Sequence, residues 1–305
     1  MSFNRLLSIT TFLLLSQFAV CALALPSLPQ DQDFTAKVVD LTLSEISEKG
    51  PSREAASLVS RLMDLFWPRR RELLKATSPH LGSPDPSKVT SAMEILYRLR
   101  SYRPMTSLGF DEGAWERENS DFFSEVDALV YRELPRLLAS REDSLLRNLA
   151  LYLGSSTPSD VTKRALLELA KNPEVGEQAL ICLTWHKDKR DMDDLMPFML
   201  HGGREAASLP YHFRDSYGPA AIPYLLRALA EAKSPFVRLQ SARELVLMGE
   251  RAGVRYLYEA VLHRDELPNG RAQAEEIREF AWGYMGFPKQ STTMDDLVRF
   301  LKGRL

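Results

Sequence analysis

Cysteine is nearly absent from this 305-residue sequence, which holds only Cys21 and Cys182. A single pair excludes a disulfide-dense scaffold and any zinc site built from repeated C-x-x-C motifs. β-Branched residues are scarce too: 14 Val and 6 Ile stand against 48 Leu, a balance that favours helices over sheets. Charge of one sign is also missing. With 39 basic and 41 acidic residues the formal net charge is −2, without the basic excess expected of a nucleic-acid-binding domain. Beyond the N-terminal segment no run of 18 uninterrupted apolar residues occurs, so no later stretch reads as a membrane span. The sequence contains no glycine-rich phosphate loop, H-E-x-x-H, G-x-S-x-G elbow or Asn-x-Ser/Thr sequon.

Residues 1–24 have the layout of a secretory signal. Arg5 is the only charge, Leu6 to Val20 is largely apolar, and Ala22-Leu23-Ala24 supplies the small-x-small cleavage pattern. The expected mature chain is secreted or periplasmic and starts after Ala24. Removal of the signal takes Cys21 with it and leaves Cys182 alone, so stability must come from packing without an internal disulfide.

The body of the chain has helical periodicity. Ile222, Leu225, Leu226 and Leu229 follow the spacing of one buried face, with Pro219 near the helix start. Lys233-Ser234-Pro235 predicts a turn, followed by a second helix carrying Val237, Leu239, Ala242, Leu245 and Val246 and ending at Gly249. A further helix carries Val254, Leu257, Val261 and Leu262. The second helices superimpose as sequences. Val237-Arg238-x-x-Ser241-Ala242-x-x-Leu245-x-x-Met248-Gly249 is matched by Ile277-Arg278-x-x-Ala281-Trp282, by Val175-x-x-x-Ala179-Leu180-x-Cys182-Leu183, and more loosely by Leu146-Arg147-x-x-Ala150. The spacing between Val175 and Val237 corresponds to two units of about 31 residues, within the range of helical repeats.

This pattern resembles the HEAT-repeat family, in particular its phycobilisome-lyase-type units. The resemblance covers residues 124–290 and implies an all-α fold: a right-handed alpha-alpha superhelix, or HEAT-like solenoid, with a helical N-terminal region. The departures are Gly176 in place of Arg, Trp282 in place of a small residue, and a degenerate unit near residue 206. Upstream, Asp40 to Ser47, Arg53 to Ala76 (interrupted at Pro68) and Lys88 to Arg100 read as helices, with Leu58, Leu62, Leu65 and Phe66 on one face. Ser78-Pro79 and Ser83-Pro84-Asp85-Pro86 read as loops, and residues 101–120 as a boundary. The expected organisation is a signal at 1–24, a divergent helical cap at 25–115 and HEAT-like repeats at 116–305.

Candidate binding residues are Tyr211, His212, Arg214 and Tyr217, which concentrate aromatics and charge in the degenerate unit, and Arg238 and Arg278, which share one repeat position. The two arginines offer either a ladder for an acidic partner or pairing with neighbouring repeats, the latter a common role in the family resembled. His186 and Asp188 with His201 supply metal-ligand atom types without a known ligand spacing; Asp191 or Asp193 is expected to cap the next helix instead. Cys182 falls on an inward helical position and reads as a small apolar residue. Arg69-Arg70-Arg71 reads as an exposed face. No cofactor and no resident metal are implied. The leading functional expectation is a scaffold holding a protein or peptide partner on its second helices. Its alternatives are an enzyme or enzyme-accessory protein, lyase-like or metal-dependent, using histidines and carboxylates, and a structural envelope component.

Overall fold

The computed structural model describes residues 66–103, 111–203, 206–266, 269–291 and 293–305, with separate positions between residues 35 and 63. The signal segment, Cys21, Leu58, Leu62 and Leu65 lie outside the described residues. Among the described residues every regular element is helical and there is no strand. The long helices are α1 (Arg70–Leu81), α2 (Pro86–Ser101), α3 (Glu112–Leu138), α4 (Asp143–Ser155), α5 (Asp160–Leu169), α6 (Gly176–Thr184), α7 (Asp191–His201), α8 (Leu209–Tyr217), α9 (Ile222–Glu231), α10 (Pro235–Leu247), α11 (Arg251–Leu262), α12 (Gly270–Phe280) and α13 (Met294–Lys302). None is long and apolar enough to cross a membrane. The chain forms two contact units, Met1–Tyr152 and Leu153–Leu305.

In the first unit α1 and α2 pack on each other and on α3. Pro68 interrupts the helical pattern as expected, in a short 3-10 turn (Trp67–Arg69). Ser78-Pro79 does not form the expected loop, because α1 runs through it to Leu81. Pro79 has no N–H for the Lys75 carbonyl, but Ser78 Oγ donates to that carbonyl at 3.1 Å, so the last turn closes. Residues 112–120 are likewise helical. Asp111 Oδ1 accepts from the Ala114 N–H at 3.0 Å and starts α3, which buries Phe122, Val126, Val130, Leu134 and Leu137. The arginine run is a solvated face only in part: Arg71 is exposed, whereas Arg69 and Arg70 are half-buried. Arg69 pairs with Glu72 and Arg71 with Glu125, while the Arg70 guanidinium lies 5.1 Å and 5.3 Å from the Trp67 and Phe122 ring centroids.

The largely apolar core of this unit contains one buried polar cluster. Arg100 and Asp127 have side chains only 5% and 8% exposed, with Arg100 Nε 3.7 Å from Asp127 Oδ1. The fully buried Tyr152 donates its hydroxyl to the same Asp127 oxygen at 2.5 Å. Burial, then the Asp127 charge, raises the Tyr152 phenol well above its ordinary value.

The second unit is a succession of helical pairs, α5–α6, α7–α8, α9–α10 and α11–α12, followed by α13. Second helices also pack on one another, α6 on α8 and α8 on α10. On the first-helix side, α7 packs on α9 and α11 on α13. Helix α10 touches α8, α9 and α11, and so buries Val237, Leu239, Ser241, Ala242, Glu244 and Leu245 around most of its circumference. It ends as its sequence predicts, with Gly249 at φ +84°.

The expected apolar stripe of α9 is rotated. Leu225 and Ala228 are buried, flanked by Ala221 and Ala232, whereas Leu226 is 37% exposed. Alanines on the buried side let α9 lie close to α10, and that contact sets the rotation. Leu262, expected inside, is 42% exposed for the same kind of reason: α11 buries Val254, Leu257, Ala260 and Val261. Gly176, a departure from the repeat pattern, is explained by proximity. A Cβ there would sit 2.6 Å from the Ala170 carbonyl oxygen, at the end of the preceding helix.

Candidate functional site

Side-chain ties join successive helical pairs at nearly constant sequence separation. Glu177 accepts from Ser208 Oγ at 2.8 Å and Asp193 from the Tyr224 hydroxyl at 2.9 Å, each across 31 residues. Arg214 Nη1 lies 2.5 Å from Glu244 Oε2, and Arg243 Nη2 donates to the Glu276 carbonyl at 3.0 Å across 33 residues. Lys163 bridges Asp191 (3.0 Å) and Asp194. Asp191 is therefore a buried ion-pair partner and not a cap; Arg190 takes the N-cap position of α7 and makes no side-chain cap hydrogen bond. Arg238 and Arg278 do not form these ties. Arg278 pairs with Glu275 of its own helix, and the Arg238 Nε is buried without a hydrogen-bond partner among the described residues.

Helix α8 places the Tyr211–Tyr217 segment. Phe213 and Tyr217 turn inward, and Tyr217 is 6% exposed with its hydroxyl buried. Tyr211 turns outward and is 46% exposed. Its ring makes an edge contact with His212 at 5.1 Å and lies 5.1 Å from the Arg214 guanidinium. Burial lowers the His212 pKa, opposed by Asp215 and Glu177, which favours the neutral imidazole. Arg214 therefore has two roles: it backs an exposed tyrosine and neutralises Glu244.

Burial raises the Glu244 pKa despite the opposing charges of Arg214 and Arg243. A carboxyl raised in the folded state pays for its charge at neutral pH and is relieved as pH falls through the raised value. Glu244→Gln is expected to be as stable as the parent or more stable at pH 7, with the difference shrinking toward pH 5. Arg214→Met, which strands the carboxylate, is expected to cost about 1–3 kcal/mol at pH 7. Urea denaturation of both variants at the two pH values checks the asymmetry.

The last second helix ends differently from the others. After α12 the chain widens into a π-turn, Ala281–Met285, closed by Gly286. Ala281 takes the buried small position of the repeat, and Trp282 and Tyr284 project outward, 45% and 71% exposed. Lys289 Nζ sits 4.3 Å from the Trp282 ring centroid. Arg278, Glu279, Trp282, Phe287, Pro288, Lys289 and Ser291 line a cleft of about 330 Å³. Of the sequence candidates only Arg278 reaches it. Trp282 and Tyr284 flank Gly283 two positions apart, a spacing that no single helix face buries. That was the available signal; the π-turn itself leaves no pattern in the residues.

The other candidates are scattered among different contacts. His186 Nε2 lies 3.0 Å from the Leu153 carbonyl oxygen, Asp188 is held down to about 2 by Arg190, and His201 is exposed at the end of α7. Among the described residues no three His, Cys, Asp or Glu side chains are grouped to hold a metal ion. Cys182 is fully buried, and burial pushes its thiol up to about 12. In a Cys21→Ser background, Cys182 is expected to resist Ellman's reagent in the native protein and to react only as the second unit opens, which labelling rates against urea concentration would check.

No protein-family model matches the chain, and no curated protein matches it.

Proposed function

We propose that Leu153–Leu305 is a HEAT-like solenoid and that the protein is an exported scaffold holding a protein or peptide partner on its second helices. Support for the solenoid comes from the side-chain ties, most of them 30–33 residues apart, and from the stacking of α6 on α8 and α8 on α10. One observation carries the binding reading. The most exposed aromatic side chains of this unit are Trp185, Tyr211, Phe236, Trp282 and Tyr284, and all lie on the second helices or at their ends. The first helices expose aliphatic residues such as Val161, Leu226 and Leu262 instead. Aromatics are the side chains most enriched at interface centres, and burying them against a partner removes apolar area from water at little entropic cost.

Site-specific photo-crosslinking in the host cell tests this reading. A benzophenone side chain at Tyr211 or Tyr284 is expected to give discrete adducts, whereas one at Val161 or Leu226 is not. Equal labelling from both sets, or none from either, overturns it. Export is tested by N-terminal sequencing of the mature protein, expected to begin at Leu25.

A further inference from the structure

We propose that the cleft between the end of α12 and the following strap binds an acidic peptide segment, taking one apolar side chain flanked by carboxylates. The inference rests on the scaffold reading and narrows it to one site and one ligand chemistry. The cleft is small: about 330 Å³ is the lower end for ligand sites and suits a single side chain better than a cofactor. Its walls divide into two parts. Trp282, Phe287 and Pro288 form an apolar seat, and Arg278, Lys289 and Ser291 place hydrogen-bond donors beside it.

The charge of the rim selects the sign of the ligand. Lys289 has no carboxylate within ion-pair distance among the described residues, and its ammonium rests over the Trp282 ring at 4.3 Å. Among the described residues Arg278 pairs with Glu275 alone, an i,i+3 pair on an exposed helix face, which an incoming carboxylate displaces at low cost. The one acid in the lining, Glu279, lies within the field of Arg243, which it and Glu276 partly neutralise. The lining cation without a carboxylate partner among the described residues is therefore Lys289. A carboxylate next to an apolar side chain meets Lys289 and Arg278 while that side chain displaces water from Trp282 and Pro288. The π-turn makes the arrangement possible, because one widened turn rotates Trp282 out of the buried register of the repeat.

The full-length chain has four tryptophans, Trp67, Trp115, Trp185 and Trp282, so its indole 1H–15N spectrum resolves the site directly. Trp282→Phe assigns the peak. Titration with acetyl-Asp-Phe-Asp-amide is expected to move the Trp282 peak saturably and leave the other three in place, whereas acetyl-Lys-Phe-Lys-amide moves none. Lys289→Glu is expected to weaken binding about tenfold and Arg278→Gln by a smaller factor, with the spectra showing both variants folded. Equal shifts from the two peptides, no shift from either, or a shift from N-acetylglucosamine trimer in place of the acidic peptide would each overturn the proposal. Crosslinks from Tyr211 alongside a silent Trp282 peak would overturn the cleft and spare the scaffold reading.

Discussion

Asp127→Ala is expected to lower the stability of the first unit by about 2–3 kcal/mol, because it removes the acceptor of the buried Tyr152 hydroxyl and one of the two carboxylates that face the Arg100 guanidinium. Asp127 receives the Tyr152 hydroxyl at 2.5 Å and faces Arg100 Nε at 3.7 Å, with both charged side chains nearly excluded from solvent. The Arg100 guanidinium also lies 4.4 Å from the Phe123 ring centroid, which covers one of its faces. Glu116 is its other anionic contact, at 3.4 Å. Tyr152→Phe removes one hydrogen bond and should cost only about 1–2 kcal/mol. The double replacement Arg100→Met with Asp127→Leu is expected to recover most of the loss, since well-packed apolar groups often match a buried ion pair. Urea denaturation followed by fluorescence in a Trp185→Phe, Trp282→Phe background, where only Trp67 and Trp115 emit, reports on this unit. An Asp127→Ala variant within about 1 kcal/mol of the parent would show that water reaches the cluster.

The second large effect is expected at Gly253, where helices α10 and α11 meet backbone to backbone. A Cβ there would stand 2.4 Å from the Ala242 carbonyl oxygen, 2.9 Å from the Val246 nitrogen and 3.0 Å from Leu245 Cβ. Two of these are main-chain atoms of a packed helix and cannot turn aside. Alanine gains up to about 1 kcal/mol of helix propensity over glycine. Forcing the helices apart costs about 1–3 kcal/mol or more. The steric cost wins, and Gly253→Ala is expected to destabilise the second unit by about 1–2 kcal/mol, Gly253→Val by more. Gly283 is the control. Nothing lies within 4 Å of its Cβ position, so Gly283→Ala should stay within about 0.5 kcal/mol of the parent, as exposed substitutions do. Cys182 labelling measures both variants in the unit they belong to. Equal effects at the two glycines would mean that α10 and α11 do not approach this closely.

The helices were legible because the local signals agreed with one another. From Gly218 to Gly249 the apolar period, the Ser234-Pro235 start and the Gly249 end all point to the observed α9 and α10. Errors arose where a single side chain reversed a local rule. Ser78 satisfied the carbonyl that Pro79 abandons, and Asp111 capped a helix through a stretch that otherwise reads as linker. The sites were far less legible. Tyr217 and Arg214 sit in one aromatic, charged run with Tyr211, yet only Tyr211 is well exposed, because α8 turns its 213/217 face inward. The repeat pattern marked Arg238 and Arg278 as equivalent, but the ties between helical pairs run through Arg214 and Arg243.

By itself the sequence determined the helical class and the scarcity of cysteine, since these depend on periodicity and composition that any short window contains. The tertiary structure alone decided which side of each helix is covered. It did so by how closely two backbones approach at Gly253, by which carboxylate a long arginine reaches some 30 residues away, and by one wide turn that leaves a tryptophan facing solvent beside a lysine. Such outcomes depend on distances between segments remote in the chain, and helical period carries no information about them.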